Sequence, residues 1–227
     1  MKHTWLAVLV AATLLTGLTL WLPPSERPTD GQSRLLPWEI EIDGRGGSSA
    51  FGLTLGEASL ADAERVLGEA ALTLFLQPDD HLALEAFFDD VRPAGLKADF
   101  VLTLDLPQST LTGMYDHGLR IARGTEGLSR VDLNPTDLPA ARAAPIVAIT
   151  YLPAVNLDPE VVEKRFGTPE SRVTEAPGVV HWLYPDLGLD VVVRDDGKEV
   201  LQYVAPRDFE RLAEPLAKRN INDRSDK

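Results

Sequence analysis

One ten-residue stretch of this chain begins with a residue typical of helix starts and finishes with one typical of helix ends: Asp158-Pro159-Glu160-Val161-Val162-Glu163-Lys164-Arg165-Phe166-Gly167. Asp158 is a typical N-cap, and proline is tolerated at the first helical position because its missing N–H would have no helical partner there. Val162 and Phe166 lie four residues apart on one face, and Gly167 is the residue type that most often ends a helix. The stretch predicts a short amphipathic helix that must pack on another element to be stable.

Segments rich in β-forming residues lie on both sides of this helix. One precedes it at 146–152, and four follow it at 172–174, 179–184, 189–194 and 200–204. Asp196-Gly197 between the last two is typical of a two-residue hairpin turn. We therefore expect an antiparallel meander beneath the helix.

The same order of elements occurs earlier in the chain. Ser59 and Asp62 have the spacing of a capping box, and Gly68 ends the predicted helix. A strand at 50–55, the second arm of a hairpin begun at 38–42, precedes this helix, and predicted strands follow at 72–76, 82–91 and 96–106. The repetition predicts a duplicated unit.

The sequence thus predicts an α+β fold with two related units, 36–106 and 145–219, each with a short helix packed on an antiparallel β-meander. Superposing the helices should superpose the sheets and place Trp182 and Phe87 beneath their own helices. Between the units, 107–144 is expected to form a helix carrying Leu111, Met114, Tyr115 and Leu119, followed by an irregular connector. A helix starting after Pro206 should close the second unit, with a disordered tail at 220–227.

The N-terminus carries an uncharged apolar run of 18 residues, 5–22, with tryptophans at both ends. Its length approaches the roughly 20 residues that span a bilayer. We expect residues 1–24 to form a transmembrane anchor, the alternative being a cleaved signal peptide, followed by a linker at 25–35. This arrangement would place the remainder in the periplasm, held on the inner membrane, or free there after cleavage.

The composition narrows the classes of partner and chemistry. The net charge of −13 disfavours nucleic acid, because phosphate binding requires clustered Lys and Arg. The chain has no cysteine, so disulfides, thiolate metal sites and a lipidated cysteine are excluded.

One family resemblance follows from these motifs. The second unit resembles the SmpA/OmlA family of outer-membrane-assembly lipoproteins in its capped helix, in Gly167-Thr168-Pro169, in Trp182-x-Tyr184 and in the Asp196-Gly197 hairpin. Two such units in tandem are also similar in architecture to the β-lactamase-inhibitor-protein fold. The resemblance implies a fold that binds other proteins and carries no catalytic residues, although this chain lacks the lipoprotein cysteine.

No pattern of catalytic, cofactor-binding or metal-ligating residues is present in the sequence. His81, His117 and His181 are outside any ligand spacing, and His181 is expected on a sheet face. Adjacent aspartates such as Asp89-Asp90 face opposite ways on a strand. A hydrolase would require a histidine and a carboxylate brought together in a cleft.

The aromatic residues Trp182 and Tyr184, with Phe87 and Phe88, are the candidate partner-binding residues. Two interpretations are open: a core beneath the helices, or a groove between the units that binds an envelope protein. We predict a non-enzymatic binding or scaffold protein. The alternatives are a carrier of a small apolar ligand, which would need a roomy cavity between helix and sheet, and a hydrolase.

Overall fold

The computed structural model describes residues 34–77, 80–123 and 129–225. These residues form the predicted α+β fold, with helices packed on antiparallel sheets. The apolar segment 5–22 and most of the predicted linker are outside these ranges. Within them, no helix has the length and apolar character needed to cross a membrane.

The described residues contain thirteen strands and five α-helices. The strands are β1 (Ile40–Ile42), β2 (Ser48–Ala50), β3 (Leu53–Thr54), β4 (Ala71–Leu76), β5 (Leu82–Val91), β6 (Ala98–Leu104), β7 (Arg120–Arg123), β8 (Ser129–Asp132), β9 (Ile146–Pro153), β10 (Ser171–Ala176), β11 (Val179–Tyr184), β12 (Leu189–Arg194) and β13 (Val200–Val204). The helices are α1 (Leu60–Leu67), α2 (Gln108–Asp116), α3 (Leu138–Ala143), α4 (Pro159–Phe166) and α5 (Glu210–Ser225).

Ten of the strands form one antiparallel sheet in the order β10-β11-β12-β13-β9-β6-β5-β4-β8-β7, and β1, β2 and β3 form a small second sheet. β9 pairs with β6 on one side and β13 on the other. The parts of the chain that follow α1 and α4 therefore share one continuous sheet.

The two short helices begin and end as the sequence predicts. The Ser59 hydroxyl accepts a bond from the Asp62 N–H at 3.3 Å, and the Asp62 carboxylate accepts one from the Ser59 N–H at 2.7 Å. Asp158 caps α4 by accepting from the Glu160 N–H at 2.8 Å. Gly68 and Gly167 end the helices with φ of 99° and 84°, a region that favours glycine.

One face of the large sheet is covered from β11 to β8 in the sheet order. Helices α1 to α4 and the small sheet pack on it, and they share a single hydrophobic core with the sheet. Its largest fully buried side chains include Phe51, Phe100, Tyr151 and Tyr203, and the Phe51 and Phe100 ring centroids are 4.9 Å apart.

The connector at 107–144 differs from the prediction. Helix α2 ends at Asp116 rather than near 121, and Leu119 lies beyond it with 65 % of its surface exposed. A side chain at Gly118 would collide with Val131, so only glycine fits there. Part of the predicted irregular region forms the β7–β8 hairpin, which extends the sheet beside β4.

The opposite face of the sheet is covered only in part. Leu216 of helix α5 and Phe209, which immediately precedes the helix, pack there against Leu183 and Val204 and form a second, smaller core. Helix α5 runs to Ser225 and so extends into the predicted tail at 220–227. Residues 216–225 contain no glycine or proline that would end the helix earlier.

Candidate functional site

Trp182 and Tyr184 belong to the main core. They alternate along β11 with His181 and Leu183, and they face the helices with only 9 % and 5 % of their surface exposed. The Tyr184 hydroxyl donates to the Gly167 carbonyl at 3.0 Å, and burial raises the pKa of this phenol to about 12. The Arg172 guanidinium lies 4.3 Å from the Trp182 ring centroid. Tyr184 therefore holds the C-terminal end of α4 on the sheet.

Phe87 and Phe88 are on opposite faces of β5. Phe88 is fully buried in the main core, whereas Phe87 has 39 % of its surface exposed on the other face. The expectation that Phe87 lies beneath α1 is wrong, because the even-numbered residues Leu84, Ala86 and Phe88 occupy the core-facing positions. The four candidate residues do not form one surface, and only Phe87 is open to a partner.

The surface around Phe87 is the part of the sheet that α5 leaves uncovered. Thr73 and Phe75 from β4, Glu85 and Phe87 from β5, Val101 from β6 and Arg130 from β8 line an open cleft of about 360 Å³ there. We call this cleft the Phe87 groove. Its walls are mainly apolar, although exposed sheet faces usually carry polar side chains.

A single carboxylate lies among these apolar walls. Glu85 pairs in register with Thr73 on one side and Thr103 on the other, while Phe87 is two residues along the same strand. Glu85 is half-buried, and it makes no hydrogen bond or ion pair with any residue the structure describes. Burial is the cause that raises the pKa of this carboxyl above its ordinary value of 4.5.

The cation of the groove lies at its β8 side. The Arg130 guanidinium carbon is 5.9 Å from the Phe75 ring centroid, and its Nη2 donates to the Thr73 hydroxyl at 3.5 Å. Arg130 therefore packs against the aromatic wall, and none of the described residues pairs with the Glu85 carboxylate.

Comparison with protein-family models, curated proteins and solved structures finds no match to this chain.

A second cluster lies on the same face, between β11, β12 and α5. His181 Nδ1 is 2.6 Å from the Asp190 carboxylate, and its Nε2 is 3.2 Å from Glu175. Asp190 is buried, and its Oδ1 finds no hydrogen-bond donor among the described residues. Burial raises the pKa of Asp190, and the His181 hydrogen bond opposes that rise.

This cluster has the histidine and carboxylates that a hydrolase would need, and it borders a cleft of about 390 Å³. None of the residues lining that cleft carries a hydroxyl or a thiol, so the lining offers no side-chain nucleophile of that kind. Across the described ranges, no three acidic, histidine or cysteine side chains converge in a way that would hold a metal ion. The geometry supports a buried, hydrogen-bonded His181–Asp190 pair on the sheet.

Glu85 and Arg130 are not among the site residues that the sequence predicts. The odd-numbered residues of β5 alternate with the apolar, even-numbered residues that enter the core. This alternation predicts that the odd-numbered residues face away from the helices. No local pattern shows that, among the described residues, no helix covers this part of the face.

Proposed function

We propose that the chain is a non-enzymatic binding protein of a cell envelope, held by its N-terminal apolar segment, and that the Phe87 groove docks a protein partner. The observation that carries this proposal is the half-covered sheet: α5 buries the second half of the face, while Phe75, Phe87 and Val101 remain accessible on the first half. Aromatic residues in such a patch are typical of protein interfaces.

We further propose that the chain contains two copies of one unit. After α1 the chain provides β4, β5, β6 and β9, and after α4 it provides β10, β11, β12 and β13. The sheet order reads the same from either end of these eight strands, with the antiparallel pair β9–β13 at its centre. Helices of eight residues with similar caps and glycine stops add support.

This correspondence changes the proposed boundary between the units. The sequence interpretation placed 146–152 at the start of the second unit, but in the matching order β9 is the fourth strand of the first unit. Helix α2, the β7–β8 hairpin and α3 are then an insertion between its third and fourth strands.

The resemblance to SmpA/OmlA proteins and to tandem inhibitor-type folds is consistent with this arrangement, since both are built from helices on antiparallel sheets and bind other proteins. The apolar segment 5–22 supports placement on the inner membrane, with the described domain in the periplasm.

The structure gives less support to the other two functions. A carrier of apolar ligands needs room between helix and sheet, but that space is filled by side chains such as Leu60, Phe100 and Tyr151. For a hydrolase, the structure provides the His181–Asp190 pair, but none of the residues lining the adjoining cleft carries a hydroxyl or a thiol.

Photocrosslinking in cells tests the docking proposal. A benzophenone amino acid replaces Phe87 in one full-length chain and Val161 in another. Val161 is a matched control, because it is similarly exposed at 42 % but lies on α4, on the other side of the sheet. We expect a discrete protein adduct at position 87 and none at 161. Equal adducts at both positions, or none at either, would overturn the proposal.

A further inference from the structure

The Glu85 carboxylate is an unusual feature of the Phe87 groove. A half-buried carboxylate without a partner is costly, because burial removes water from the charged form and no bond replaces it. Glu64, by contrast, is paired with Arg142 at 3.0 Å. The Glu85 carboxylate can therefore accept hydrogen bonds from a bound group, and aromatic side chains lie on either side of it.

The chemistry of the groove selects for a cation with a flat, weakly hydrated charge. A carboxylate accepts two parallel N–H bonds from a guanidinium, and phenyl faces attract the same group. The compact, strongly hydrated ammonium of lysine fits such walls less well. The chain already stacks arginine on aromatic rings elsewhere, with Arg165 4.1 Å from the Trp38 centroid.

We propose that the Phe87 groove receives an arginine side chain of the protein partner, whose guanidinium binds the Glu85 carboxylate between Phe75 and Phe87. The inference rests on the proposed docking function and names the chemistry of its contact. The net charge of −13 favours a basic partner surface.

Arg130 limits the orientation of the incoming side chain. Its guanidinium occupies the β8 side of the groove, against Phe75 and Thr73, and repels a second cation there. The partner arginine therefore enters from the β6 side, across Val101. Replacing Arg130 with glutamine removes this repulsion and should tighten binding several-fold.

A defined probe tests the arginine site without knowledge of the partner. The full-length chain, labelled with 4-fluorophenylalanine, is titrated with the peptide acetyl-Gly-Arg-Gly-amide and with its neutral citrulline counterpart. The arginine peptide should shift the fluorine resonances of Phe75 and Phe87 and leave that of buried Phe88 unchanged. The citrulline peptide should bind at least tenfold more weakly.

Variants complete the test. Glu85→Gln should weaken the arginine peptide at least tenfold, Glu85→Asp should retain part of the affinity, and Arg130→Gln should increase it. An unchanged Phe88 resonance shows that each variant is folded. Equal binding of the two peptides, or full binding by Glu85→Gln, would overturn the inference.

The two proposals fail in different ways. If crosslinking at position 87 persists in Glu85→Gln and the arginine peptide does not bind, the docking function stands and the arginine site is wrong. If no adduct forms at position 87, the docking function itself is wrong.

Discussion

Two adjacent phenylalanines provide a direct test of which face of the sheet is available to a partner. Burying a phenylalanine side chain is worth about 1.5–3 kcal/mol, and truncating a fully buried one costs ~3–5 kcal/mol because a cavity is left behind. Phe88 is fully buried, so Phe88→Ala should lose that larger amount. Phe87 is 39 % exposed and borders open solvent, so Phe87→Ala should lose only ~1–2 kcal/mol.

Urea unfolding of the full-length chain, followed by far-ultraviolet circular dichroism, measures both values. The two variants delete the same atoms from neighbouring positions of one strand, so differences in the unfolded state largely cancel. The difference between them should be about 2 kcal/mol or more. A Phe87→Ala loss equal to that of Phe88→Ala would mean that Phe87 is also core, and the open-face interpretation would be refuted.

Three other predictions concern Glu85, the His181–Asp190 pair and the N-terminal apolar segment. Burial raises the folded-state pKa of Glu85 above its ordinary value of 4.5, so folding favours the protonated carboxyl. The contribution of Glu85 to the free energy of unfolding is therefore fully present below pH 4.5 and is lost as pH rises through the folded-state pKa. Urea unfolding should therefore find Glu85→Gln more stable than wild type at pH 7 and similar to it below pH 4.5; a less stable variant at pH 7 would contradict this. His181→Ala leaves the buried Asp190 carboxyl without its hydrogen-bond partner and should cost ~1–3 kcal/mol, whereas changing both residues to leucine should cost far less in the same assay; equal losses would contradict the account of a hydrogen-bonded pair. If 5–22 is an uncleaved anchor, mature protein should keep Met1 or Lys2 and stay with membranes in high salt; N-terminal sequencing that starts after Leu22 would show cleavage.

Local chemistry made the short helices predictable. The capping residue and the terminating glycine of each helix lie within about ten residues of each other, and Ser59 and Asp158 make the capping hydrogen bonds that the sequence predicts. The α+β class followed from the alternation of these helices with β-rich segments. Neither inference needed information about distant residues.

The parts that were missed depend on distant contacts. The β7–β8 hairpin has strands of only four residues, and it gains stability by pairing with β4. Phe75 of β4, which pairs with Arg130, lies more than fifty residues earlier in the chain. Strand β9 carries no signal that it will join β6 to β13. The same limit applies to the site. Glu85 is recognisable as a strand residue, but whether a described residue pairs with it depends on where Arg130 and α5 lie.

The central claim is that the Phe87 groove, rather than the helical side of the chain, holds the partner. The most direct measurement compares the amount of native complex recovered from cells that express Phe87→Ala or Val161→Ala, using the adduct found at position 87 to identify the complex. A central aromatic contact is worth roughly 2 kcal/mol or more, so Phe87→Ala should reduce binding at least tenfold while Val161→Ala leaves it unchanged. Equal recovery from the two variants would contradict the claim.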